Sequence, residues 1–227
     1  MTPPRSAQSL LRLLQLVSPT LPVGAYAYSG GLEHAVSAGW VRDRVLARDW
    51  ITGLAEHSLS ALDLPVLCRM YRAWQDDDMP RVQWWNHFLA ASRESAELLA
   101  EDRQLGAALC RLLRDLEVER ALIWPGQEKA CWAAMFSLAA QYWDIGEMEM
   151  QEGYLWAWCE NQVAAAIKLV PLGQTDGQRI LSECAERIPG WVALSRGIGN
   201  DEIGQVAPAQ AIGSALHEQQ YSRLFRS

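Results

Sequence analysis

Lysine is scarce in this chain of 227 residues: Lys129 and Lys168 are the only two, and every other basic side chain apart from four histidines is an arginine. Lys plus Arg number 20 against 27 Asp plus Glu, for a formal charge of −7, and no segment gathers the basic residues into a patch. A chain so charged repels a phosphate backbone, which excludes nucleic acid as a ligand. A CxxC pair is missing too. Cys68, Cys110, Cys131, Cys159 and Cys184 stand far apart, which removes zinc knuckles and redox dithiols and suits reduced, buried thiols in a cytoplasmic protein. Long apolar runs are absent: the stretch from Ala130 to Trp143 is shorter than the ~20 residues that span a bilayer. In RSAQSLLRLLQLV, residues 5 to 17, Arg12 and Gln15 interrupt what a secretory signal would keep apolar, so no membrane role is expected.

Catalytic signatures are equally thin. Gly24, Gly30 and Gly31 are followed by Leu32 and Glu33 in a helical setting, without the lysine of a phosphate loop. None of His34, His57, His87 and His217 has a Glu three positions earlier, so the di-metal carboxylate bundle is excluded. No nucleophile, base and orienting group can be assembled. Asp76, Asp77 and Asp78 resemble a magnesium-binding run but precede Met79-Pro80 between two helical segments, where a solvated turn with an N-cap aspartate is the simpler reading. Catalytic residues, metal ligands and cofactors are therefore all expected to be none.

What is present is helical. Half the residues are apolar, their spacing follows the helical period, and strand-like alternation bounded by hairpin turns does not occur. The expected fold is all-α, a single-domain bundle of roughly nine or ten helices. They are placed near 5–17, 29–38, 43–60, 64–75, 80–95 continuing towards 118, 127–144, 148–169, 174–187 and 203–214. Leu10, Leu13, Leu14 and Val17 should share one face of the first, and Pro19, Pro22, Pro65, Pro80, Pro125, Pro171 and Pro189 should fall between helices or in first turns. A helical domain over 1–195 would be followed by a C-terminal segment over 196–227, polar and glycine-bearing at its start and mobile. Trp84 with Trp85, and Trp156 with Trp158, cannot both point inward from one helix, so one ring of each pair is expected at a surface or a contact.

Three segments carry functional weight. LPVGAYAYSGGLEHAV (21–36) offers a turn at Pro22 and Gly24, a cap at Ser29, close helix approach at Gly30 and Gly31, and Tyr26, Tyr28 and Glu33 as contact residues. AAAIKLVPLG (164–173) sets Lys168 in an apolar helix end, either snorkelling onto terminal carbonyls, meeting a partner protein, or pairing with a carboxylate such as Glu33. HEQQYSRLFRS (217–227) has too little apolar surface for a core of its own, but Leu224 and Phe225 can anchor it on a partner or back on this domain, with Arg223 and Arg226 supplying forked hydrogen bonds.

Together with Ser92-Arg93-Glu94, these segments resemble, in order and spacing, the UreF family of urease accessory proteins. The chain departs from the family pattern at Ala25, Ala27, Gly30 and Leu216. The resemblance implies a cytoplasmic, usually dimeric, non-enzymatic chaperone for nickel insertion. It would bridge UreD (UreH) and the GTPase UreG, help couple GTP hydrolysis to nickel delivery, and reach the urease apoprotein UreABC through that complex. Its tail would be mobile alone and ordered against UreD. Matching motif positions mark Glu33, Lys168, His217, Tyr221, Ser222 and Arg223 as partner-binding, beside Tyr26, Tyr28, Leu224 and Phe225. A direct nickel-binding metallochaperone, and a small magnesium-dependent enzyme built on Asp76 to Asp78, are the competing readings.

Overall fold

The computed structural model describes residues 7–204 and 207–227; residues 5 and 6 of the first expected helix and 205 and 206 of the last lie outside the described residues. The described residues are all-α, without a strand. Eleven α-helices follow one another: α1 (Ala7–Leu16), α2 (Leu32–Ser37), α3 (Arg44–Leu54), α4 (Leu64–Gln75), α5 (Met79–Ala91), α6 (Ala96–Asp115), α7 (Glu119–Leu122), α8 (Trp132–Tyr142), α9 (Glu147–Leu169), α10 (Gln174–Arg196) and α11 (Pro208–His217). None of the described helices is long and apolar enough to cross a membrane.

α8 is the centre. Every residue from Ala133 to Ala140 is buried, as expected of a helix apolar on all sides, and α4 and α6 pack against it. α9 lies along α10 and also meets α2 and α4. Two glycines mark close crossings. A Cβ on Gly106 of α6 would strike the Ala130 carbonyl and come within 2.6 Å of the Cys131 carbonyl oxygen, and one on Gly153 of α9 would lie 2.6 Å from Leu13 Cδ1 of α1.

Local chemistry explains where the helices differ from sequence expectation. The 43–60 and 64–75 segments are one continuous rod, because a π-helical stretch, Ala55–Asp63, joins α3 to α4. Pro65 has no N–H for the turn before it, and the Ala61 carbonyl accepts instead from the Gly204 amide at 3.2 Å. Residues 80–118 are two helices: the Ser95 hydroxyl accepts the Leu98 amide at 3.1 Å and starts α6 afresh, and Arg93 turns inward in the break. Pro189 does not end a helix. α10 runs through it to Arg196, since Cys184, Ile188, Trp191 and Val192 on its buried stripe outweigh one missing ladder bond. Pro208 opens α11 later than expected. In α1, Leu13 and Val17 face the core, but Leu10 and Leu14 are exposed while Ser9 and Leu16 are buried.

The acidic run behaves as a turn: Asp77 takes a left-handed backbone (φ 58°) and Asp78 accepts the Arg81 amide at 3.0 Å as the cap of α5. All five cysteines are free and buried, and burial pushes the Cys68 thiol up to about 12. Trp85 is buried while Trp84 stands exposed and stacks on Phe88; Trp156 and Trp158 are both half-buried. The tail is docked on the domain, with Phe225 and Ser227 buried.

Candidate partner-binding site

Two sharp backbone turns bring the first motif to the tail. Gly30 (φ +58°) and Gly31 (φ +86°) adopt conformations that other residues avoid, and a Cβ on Gly31 would sit 3.0 Å from the Ser214 amide nitrogen of α11. α2 and α11 thus touch almost backbone to backbone, and the Gln210 side-chain amide donates to the Gly30 carbonyl at 3.3 Å. The N-cap of α2 is Gly31 rather than the expected Ser29; Ser29, two residues earlier, still accepts the Glu33 amide at 3.2 Å and donates its hydroxyl to the Ser227 carbonyl.

Glu33 is the hook. It is nearly buried, and its Oε1 accepts the Leu224 amide at 2.7 Å while Oε2 accepts the Phe225 amide at 2.8 Å. His217, wholly buried, spans two carboxylates: Nε2 lies 3.1 Å from Glu33 and Nδ1 lies 2.8 Å from Glu97. Neutral imidazole has one N–H, so donating to both carboxylates requires the imidazolium form. Arg223 binds the other oxygen of Glu97 at 2.9 Å.

α6 supplies the opposite wall. Glu97, Glu101 and Gln104 recur at helical spacing and meet, in order, His217 with Arg223, the Ser227 hydroxyl (2.9 Å) and Arg226 (3.5 Å). Burial raises the Glu101 carboxyl to about 7 against the opposing pull of the Ser227 hydrogen bond and Arg93. Tyr28 donates its phenol to Gln104, and its carbonyl accepts from Asn161 at 3.2 Å.

Lys168 does not pair with Glu33. Its ammonium is exposed and lies 5.4 Å from the centroid of the Phe225 ring, a cation–π contact. Glu33 is already saturated by the two amides and His217, so both expected partners serve the same tail residue from different sides. The structure therefore gathers Tyr28, Glu33, Lys168, His217, Arg223 and Phe225 into one clasp. Tyr26, Tyr221, Ser222 and Leu224 are outward, Tyr221 fully so.

Sequence reasoning missed Glu97, Glu101 and Gln104, although their spacing alone could have shown a polar stripe on α6. It noted Ser92-Arg93-Glu94 without a role. Arg93 forks onto Asp63 (2.7 and 3.3 Å) and reaches Asp102 at 3.1 Å; Tyr154 donates to Asp63 at 3.2 Å. Burial opposes the charge on Arg93, yet Asp102 and Asp63 hold its pKa well above the ordinary value. This network lines a cavity of about 90 Å³ beneath the clasp. Among the described residues, no three His, Cys, Asp or Glu side chains are disposed to hold a metal ion.

A sequence profile of the UreF family matches residues 41–185. The chain belongs to the UreF family. It is 51% identical over 216 residues, 95% of each chain, to the urease accessory protein UreF of Alkalilimnicola ehrlichii, and 50% identical over 218 residues, 96% of this chain and 98% of the relative, to that of Teredinibacter turnerae. The urease accessory protein UreF 2 of Brucella anthropi is 47% identical over 221 residues, 97% of each chain. The UreF resemblance of the three motifs is thereby established over nearly the whole length; of the clasp, Glu33 and residues 217–227 lie outside the 41–185 stretch of the family profile, while Lys168 and the α6 wall lie within it.

Proposed function

We propose that this UreF-family chain is a non-enzymatic, cytoplasmic scaffold for nickel insertion into urease. It bridges a UreD/UreH-type partner and a UreG-type GTPase, helps couple GTP hydrolysis to nickel delivery into the urease apoprotein, and works as a homodimer. The observation that carries the reading is the clasp: a short terminal segment held mainly by polar contacts to Glu33, Glu97 and Glu101, which a partner can replace with contacts of its own.

Within this reading Tyr26, Tyr221, Ser222 and Leu224 are the outward contacts. Tyr28, Glu33, Lys168, His217, Arg223 and Phe225 present the tail and are shared with the partner when it binds. Residues 196–227 act as a partner-binding extension of the helical domain 1–195. The test is co-purification with the UreD-type partner of the full chain and of a chain ending at Gln219, which keeps α11 whole. Binding by the full chain and its loss on truncation supports the reading. An intact, folded chain that captures neither the UreD-type nor the UreG-type protein overturns it.

A further inference from the structure

Beside the clasp, the turn around Ala25–Ala27 and the α6 face carrying Gln104, Ala108 and Arg111 enclose a cleft of about 330 Å³. It has an unusual charge. Arg111 and Arg226 both line it, and no carboxylate does, in a chain where acids outnumber bases 27 to 20. Elsewhere Arg44, Arg48, Arg72, Arg93, Arg120, Arg179 and Arg223 each face a carboxylate within 4.0 Å, while Arg12, Arg69 and Arg114 donate to neutral oxygens. Among the described residues Arg111 has no ion-pair or hydrogen-bond partner, and Arg226 has only a 3.5 Å contact with the neutral Gln104. Tyr26, 69% exposed, stands at the mouth.

We infer that this cleft receives an aspartate or glutamate side chain from an acidic segment of a protein that assembles with the chain, held between the Arg111 and Arg226 guanidiniums with Tyr26 over it. The inference rests on the scaffold reading above and adds a surface and a ligand chemistry to it. Guanidinium forks match a carboxylate in shape and charge. A phosphate group fits less well, because Ala107, Ala108 and Arg111 lie in the C-terminal half of α6, where the helix dipole opposes a dianion more than a single negative charge. A membrane fits less well because the chain carries −7 overall. Arg226 also ties the cleft to the clasp: its amide donates to the Ala27 carbonyl at 2.8 Å, so the second guanidinium is in place only while the tail is docked.

The scarcity of lysine supplies the experiment. Arg111→Lys and Arg226→Lys variants of the full chain are mixed separately with the UreD-type and the UreG-type protein and treated with a water-soluble carbodiimide, which joins an amine to a carboxyl with loss of water. Peptide mass spectrometry should find position 111 or 226 bonded to an Asp or Glu of one partner. The Arg111→Glu/Arg226→Glu chain, checked by circular dichroism for helix content, should bind that partner at least about tenfold more weakly than wild type and lose more at low salt than at high. Wild-type capture with unchanged affinity of the double variant overturns the inference and leaves the scaffold reading standing. Loss of wild-type capture of both partners overturns both. Saturable binding of inorganic phosphate or pyrophosphate that the double variant abolishes, with partner affinity intact, overturns it in favour of a phosphate site.

Discussion

Glu33→Gln tests the clasp with the smallest change of shape. The carboxylate accepts from Leu224 and Phe225 on different oxygens, at 2.7 and 2.8 Å, and Oε2 also faces His217 at 3.1 Å. A primary amide has one acceptor oxygen, so whichever way it flips, an NH2 group points at a backbone N–H. One amide then loses a charge-assisted hydrogen bond and is left without an acceptor, a loss of about 2–3 kcal/mol, or roughly a 30- to 150-fold rise in the opening constant of the tail. The tail escapes the conflict by undocking into water, so the loss falls on residues 218–227 and little of it on the global fold. Hydrogen exchange read by mass spectrometry should show Leu224 and Phe225 exchanging faster by that factor, while α8 and α9 amides keep their protection. Unchanged exchange at Leu224 and Phe225 would refute the hook, and equal loss of protection in α8 would show that Glu33 supports the core instead.

Gly106→Ala should destabilise by about 1–3 kcal/mol in urea unfolding, since its Cβ meets the Ala130 and Cys131 carbonyls; a stabilised variant, the usual result of Gly→Ala inside a helix, would show that the crossing can relax. Arg93→Leu leaves Asp63 and Asp102 buried without their cation and should lower stability by about 3–5 kcal/mol, and adding Asp63→Asn with Asp102→Asn should recover much of it. Glu101, lifted from 4.5 to about 7, binds a proton more tightly folded than unfolded, so stability falls as pH rises between these values, by at most about 1.4 kcal/mol per pH unit. Glu101→Gln should flatten that slope, gaining on wild type at pH 8 and matching it near pH 4; a parallel pair of melting curves across the range would refute the assignment.

The helices were legible because apolar spacing is a local property, and α8 was visible as the most continuous apolar stretch. Breaks were harder. Nothing local distinguishes Ser95, which starts a helix, from Ser92, three residues before it, and Pro189 is carried through α10 only because its neighbours are buried by other helices. At the candidate site, Glu33 and His217 came from motif resemblance and Phe225 from its apolar bulk in a polar tail, while their mutual contacts span separations of 184 and 192 residues that no periodicity encodes. The Lys168–Glu33 pairing failed for a related reason: both residues meet the tail, which the sequence reading did not foresee, and backbone amides and a histidine are stronger claimants on a carboxylate than a lysine that can remain in water.

The clasp joins ends of the chain far apart in sequence, yet α11 has already been brought against α2 before the tail docks, so closure costs only the ordering of the few residues after His217. Such a short tether presents the tail to its own groove at an effective concentration in the millimolar range. A protein that captures the tail competes against that standing occupancy rather than meeting a free peptide. Its apparent affinity is therefore set as much by how firmly Glu33 holds Leu224 and Phe225 as by its own surface, and a substitution that loosens the hook without touching that partner's contacts raises its apparent affinity, while a partner seated in the Arg111–Arg226 cleft gains nothing.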